Sequence, residues 1–178
     1  MNSLGFKFPV QERKTALYNL EEEWYLPLLS KHLGIPMQSI KRSNFGQYSM
    51  AVNYLTSVLE EAAAINKVAV YNIDHMAQLL FYGPDVVTLL NRALTGNFTD
   101  MKVGQCKYTL LLNEQGGVQD DMILMRVTDT SFILVINAGH DITDTIEVDG
   151  EKQEYLADID RIMQCKKEGE EVWAKDIS

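Results

Sequence analysis

The chain has 178 residues, 46% hydrophobic and 23% charged, with a net charge of −9 and a pI near 4.8. That length supports one sizeable core or two small fused ones, and the composition excludes disordered and fibrous classes. The acidic balance argues against a nucleic-acid backbone as the main partner, because such binding rests on Lys and Arg neutralising phosphates.

Residues 11 to 33 are helical in part: Leu17, Leu20 and Trp24 recur at spacings of three and four, with Glu21, Glu22 and Glu23 between them and Pro27 as an interruption. Residues 34 to 44 read as a surface connection, and Phe45 to Tyr54 as extended, with a bend allowed at Gly46. Ser57 and Glu60 fit a capping box, which predicts a helix to about Asn66 before a strand from Val68 to Ile73. A second strand, Met76 to Tyr82, stops at Gly83-Pro84. Val86, Leu89, Leu90, Ala93 and Leu94 then mark one helical face, closed by Gly96.

Cys106 to Leu112, Val118 to Val127 and Phe132 to Asn137 form a three-strand meander with short turns, and their faces are apolar on both sides, as in a sheet covered twice. A polar connection, a turn at Asp149-Gly150, a helix carrying Leu156, Ile159, Ile162 and Met163, and a charged tail complete the chain. The expected class is α+β, a mostly antiparallel sheet covered by helices, with residues 1–178 as one portion of a domain. The two cysteines, Cys106 and Cys165, have no CxxC spacing, so free thiols are expected. With no signal-peptide pattern and no window near ~18 apolar residues, the expectation is a cytoplasmic protein with no membrane or nucleic-acid partner.

The chemistry concentrates after the Gly116-Gly117 turn, where Asp120 and Asp121 open a strand. Alternation puts Asp121 with Ile123, Met125 and Val127, and Asp120 with Met122, Leu124 and Arg126. Asp121 is expected to head a buried apolar row, where desolvation would raise its pKa and suit it to orient or exchange a proton. The competing reading is that both aspartates cap their hairpin. Tyr108 and Asn137, on the neighbouring strands, could face the same hollow. His32, His75 and His140 offer no metal-triad spacing, so no metal is expected, and no nucleophile elbow, phosphate loop or HExxH pair is present.

The ordered runs TALY at 15–18, NFGQYSMAVNY at 44–54, SVLEEAAAINKVAVYNIDHM at 57–76, YNIDHMAQLLFYGPDVVTLLNRALT at 71–95, VGQCKYTLLLNEQGGVQDDMILMRV at 103–127 and FILVINAG at 132–139 resemble the folate-binding domain of the aminomethyltransferase family, the glycine-cleavage T-proteins. The resemblance implies one-carbon transfer to tetrahydrofolate, giving its 5,10-methylene or 5-methyl form. The donor would be a lipoyl-bearing H-protein or a small molecule. It implies that Asp121, the second of the adjacent pair, is the essential aspartate, orienting the pterin nitrogens and stabilising positive charge as the iminium forms. Met76 would pack against the folate, Tyr108 would line the aromatic part of its pocket, Ile123 and Met125 would form an apolar wall, and Asn137 would add a polar contact.

Residues 24 to 42 look like an insertion relative to that family, Asp74 and Ala77 stand where Ser and Gly are common, and 141–178 follows it weakly. T-proteins are longer, and their second half carries a glutamate and an arginine that grip the pterin, together with a β-barrel. The expectation is therefore a truncated N-terminal portion, inactive alone, with self-association through the surface left by the missing half. Demethylases acting on N- or S-methyl compounds, and non-catalytic relatives that assist iron–sulfur assembly, are the alternatives.

Overall fold

The computed structural model describes residues 13–34, 36, 40–53, 72–141, 143–148 and 151–178. They fall into two compact units, one within Pro9–His75 and the other built on Met76–Ser178. In the first, a short helix α1 (Tyr18–Leu20) runs through a widened π-helical turn (Glu21–Tyr25) into α2 (Leu26–Leu33). The widening has a local cause: Pro27 lacks the N–H that an α-helix would send back one turn, so the ladder loosens before it. Gly34, at φ 67°, ends α2 in the left-handed region. Strands β1 (Lys41–Phe45) and β2 (Tyr48–Asn53) form an antiparallel hairpin. Buried Glu21 holds the unit together, accepting from Arg42 Nη2 at 3.0 Å and Asn72 Nδ2 at 3.1 Å.

Strand β1 corrects the expectation of a connection over 34–44. Its sequence, KRSNF, has no apolar alternation because most of its side chains face outward, and its pairing is supplied by β2. The expected helix from Ser57 and the strand from Val68 lie almost wholly outside the described residues, as does the Asp149-Gly150 turn.

The second unit is a five-stranded antiparallel sheet, in which β3 (Ala77–Tyr82), β4 (Cys106–Leu112), β5 (Val118–Thr128), β6 (Ser131–Ile136) and β9 (Trp173–Asp176) stand in the order β4-β5-β6-β3-β9. A separate hairpin of β7 (Asp144–Val148) and β8 (Glu151–Tyr155) precedes the last helix. The helices α3 (Val86–Ala93) and α4 (Asp158–Gln164) pack on one face of the sheet. Val86, Leu89, Leu90 and Ile162 from the helices meet Leu79, Phe81, Met122, Leu124, Phe132 and Leu134 from the strands in one core. The expected antiparallel α+β class and the β4–β5–β6 meander are both present. No helix among the described residues is long and apolar enough to cross a membrane.

The Arg92 guanidinium at the end of α3 grips Glu170 in a two-pronged bond, at 3.0 and 2.5 Å, and also donates to Cys165 O at 2.6 Å. Arg92 first, and then the Lys167 backbone N–H at 2.8 Å, hold the Glu170 carboxyl down at about 2. A carboxyl whose pKa is depressed on folding stabilises the fold above its unfolded value and loses that contribution as pH falls through the folded one. Urea midpoints of wild type and Glu170→Gln are therefore expected to differ above about pH 5 and to converge as pH drops towards 2.

Candidate functional site

Antiparallel register decides which side chains share a face. Across β4 and β5, Cys106 pairs with Met125, Tyr108 with Ile123 and Leu110 with Asp121. Across β5 and β6, Ile123 pairs with Val135 and Met125 with Ile133. Directly opposed residues point the same way, so Tyr108, Asp121, Ile123, Met125, Val135 and Ile133 all lie on the face away from α3 and α4. That face is open: Tyr108 is 67% and Ile123 43% exposed, and Val127 is exposed beside them.

This overturns two sequence expectations. Among the described residues no helix packs on that second face, and Asp121 is exposed, whereas Asp120, only 4% exposed, is the aspartate on the core side with Met122 and Leu124. The alternation itself stands; its phase relative to the core is reversed. Both faces of β5 are rich in apolar residues, and the helices choose between them. Neither aspartate caps the hairpin. That task falls to Asn113, whose Oδ1 accepts from Gln115 N at 3.1 Å and Gly117 N at 2.7 Å.

Asp121 is held instead by its neighbours. Tyr108 Oη donates to Oδ2 at 2.9 Å, reaching diagonally across the β4–β5 ladder, and Asn137 Nδ2 stands 3.1 Å from Oδ1. The bond to Asp121 raises the Tyr108 phenol above its ordinary pKa, so it remains a donor near neutrality. Asn137, one step past β6, also reaches under the strand: Nδ2 donates to Asp120 Oδ1 at 2.7 Å and to Asp121 O at 3.0 Å, and its backbone N–H donates to Asp120 Oδ2 at 3.1 Å. The buried carboxylate thus fixes the asparagine that steadies the exposed one. Met76 immediately precedes Ala77, the partner of Ile136, so register brings it to the same end of the sheet as Asn137. The structure therefore gathers Tyr108, Asp121, Ile123, Met125 and Asn137 on one open surface, with Met76 at its margin. The result is an anionic acceptor on an apolar floor.

Behind Asp120 lies a second polar group that the sequence reading did not assemble. His140 Nδ1 stands 3.8 Å from Asp120 Oδ2, 3.6 Å from Asp158 Oδ2 and 2.7 Å from Tyr155 Oη. Asp158 is fully buried, and burial raises its carboxyl to about 6; His140 opposes the rise and Asp120 adds to it. Burial would lower the His140 pKa, but the contact with Asp158 and the charges of Asp120, Asp158 and Asp141 carry it above its usual value. His75, by contrast, is lowered by burial. No sequence spacing could signal this group, because its members come from β5, the turn after β6, β8 and the start of α4. The cysteines are free, as expected, with Cys106 exposed.

The family model of the GCVT N-terminal domain matches residues 38–166, most of the chain. The chain belongs to that family. It is similar to the aminomethyltransferase of Thermotoga petrophila, 31% identical over 115 residues, which span 64% of this chain and 30% of that protein. The aminomethyltransferase of Corynebacterium jeikeium is 35% identical over 98 residues, 55% of this chain and 25% of that one. Among solved structures, the glycine cleavage system aminomethyltransferase T from Bartonella henselae superposes with a TM-score of 0.68 at 27% identity, covering 93% of this chain and 38% of that chain. The chain spans well under half the length of these relatives.

Proposed function

We propose that this GCVT N-terminal domain chain supplies one wall of a tetrahydrofolate site and the acidic group for aminomethyl transfer, with residues 1–178 as the first portion of the folate-binding fold. The carrying observation is the Asp121 carboxylate, oriented by Tyr108 and Asn137 above the floor of Ile123 and Met125. The fit to a reduced pterin is chemical: a flat ring edged with N–H groups needs an apolar platform and a fixed anionic acceptor. Each Asp121 oxygen has one donor within the protein and a lone pair to spare.

Bound tetrahydrofolate supplies the nucleophilic nitrogen that takes up the one-carbon unit. Asp121 accepts from the pterin-side N–H groups, fixes which nitrogen faces the donor, and offers negative charge where positive charge develops. Tyr108 and Asn137 hold that carboxylate in place, Ile123 and Met125 exclude water from one side, and Met76 packs at the rim. A lipoyl-carried aminomethyl group, as in glycine cleavage, is the donor this reading favours, in a cytoplasmic setting.

Because Tyr108 and Ile123 are so exposed, a folate on this chain alone would keep one side in water, and binding is expected to be weak. NMR titration with tetrahydrofolate should shift the resonances of Tyr108, Asp121, Ile123 and Asn137 in a saturable manner that Asp121→Asn weakens. Tight, submicromolar binding in calorimetry would contradict the need for further residues. If these resonances stay unmoved up to the ligand's solubility limit, the folate reading fails.

A further inference from the structure

The geometry points to a divalent-cation site formed by Asp120, His140 and Asp158 on the helix-covered side of the sheet. One oxygen or nitrogen from each residue lies within 4.8 Å of the others, and His140 Nδ1 is 3.8 Å from Asp120 Oδ2 and 3.6 Å from Asp158 Oδ2. Ligands bonded at ~2.1 Å to one ion stand about 3.0–3.5 Å apart, so closing the cluster needs only small side-chain movements. The proposal is independent of the folate reading, since none of the three is assigned to hold that ligand.

The decisive residue is Asp158. Its side chain is fully buried, and the His140 Nδ1 that faces it stands at 3.6 Å, beyond hydrogen-bond distance. Leaving a carboxylate so is expensive, and a buried acid normally finds a donor or a cation. No lysine or arginine among the described residues pairs with Asp158 or Asp120, which leaves two buried acids around one imidazole. A metal ion would satisfy both.

The surroundings suit that role. Asn137 donates to both oxygens of Asp120 and fixes its orientation, as partners of metal-ligating carboxylates do. Tyr155 Oη lies 2.7 Å from His140 Nδ1. In the Nε2–H tautomer that nitrogen accepts from the phenol, so an ion bound by His140 Nδ1 would have to displace the hydroxyl. His140 is partly exposed, which provides an entry path, with water completing the coordination. Two carboxylates and an imidazole form a ligand set for Mn²⁺, Fe²⁺ or Zn²⁺ and not a thiolate-type site.

The test uses the full chain, stripped with chelator and titrated with Mn²⁺, with the free-ion EPR signal reporting uptake. One Mn²⁺ per chain is expected, accompanied by a rise in melting temperature. Asp158→Asn, which removes a buried charge without changing shape and should fold, is expected to weaken uptake at least ~10-fold. Tyr155→Phe, which removes the competing hydroxyl, should bind as tightly or more so. Asp129→Asn, at a carboxylate that is 91% exposed, should leave uptake unchanged. Uptake equal in wild type and Asp158→Asn, uptake lowered as much by Asp129→Asn, or no uptake at millimolar Mn²⁺ would each overturn the proposal.

Discussion

Asp121→Asn, placed in a full-length enzyme made by joining this chain to the remainder of a relative such as that of Thermotoga petrophila, is expected to lower turnover about 10²–10³-fold. The substitution keeps the side chain's shape and one acceptor oxygen, removes the charge, and puts an N–H donor where the second oxygen accepted. The side chain is exposed, so the melting temperature should barely move. The loss should fall on kcat and kcat/KM together, as for an interaction made chiefly while charge develops. Exposure in this chain does not weaken the expectation: once a ligand covers the open face and water leaves, the same carboxylate acts in a medium where its charge is far less screened. Turnover within about threefold of wild type would end the catalytic assignment of Asp121.

Gly83→Ala is expected to destabilise the second unit by about 3 kcal/mol or more. Gly83 follows β3 at φ 132°, a conformation that L side chains rarely adopt, and a Cβ there would lie 2.1 Å from the backbone carbonyl oxygen of Glu171. The neighbour cannot swing aside as a flexible side chain would. Its carbonyl accepts from Asp85 N, its own N–H is held by Asp85 Oδ2 at 2.9 Å, and Val172 beside it is buried in the core. Relief requires the 171–172 segment to retreat and β9 to peel from β3. Chemical denaturation should register the lost stability, and limited proteolysis should show new cleavage near β9. An unchanged denaturation midpoint would contradict the close approach.

What the sequence disclosed follows from how each element announces itself. The β4–β5–β6 meander was legible because three apolar runs are separated by short polar turns, and α3 because its apolar positions recur with helical spacing and Gly96 follows. The convergence of Tyr108, Asp121 and Asn137 was legible from their places on neighbouring strands, and register explains why three positions so far apart meet. The phase of β5 was not legible. Ile123 and Met125 are as apolar as Met122 and Leu124, and burying Asp120 looked costly until Asn137 supplied its donors. Strand β9, WAKD, carries no pattern of its own and is defined by pairing with β3, and the β7–β8 hairpin is polar enough to read as a connection. The grouping of Asp120, His140 and Asp158 depends wholly on tertiary folding.

The two margins of the sheet are both poor templates for a further strand, for different reasons. At one, the edge strand is β9, only four residues long and carrying Lys175 and Asp176. At the other, the Leu94–Thr95 stretch bridges to β4, with Thr95 N donating to Leu110 O at 3.0 Å and the Thr95 hydroxyl accepting from Leu110 N at 3.0 Å. Strand-by-strand growth into fibrils is therefore blocked at its usual starting points.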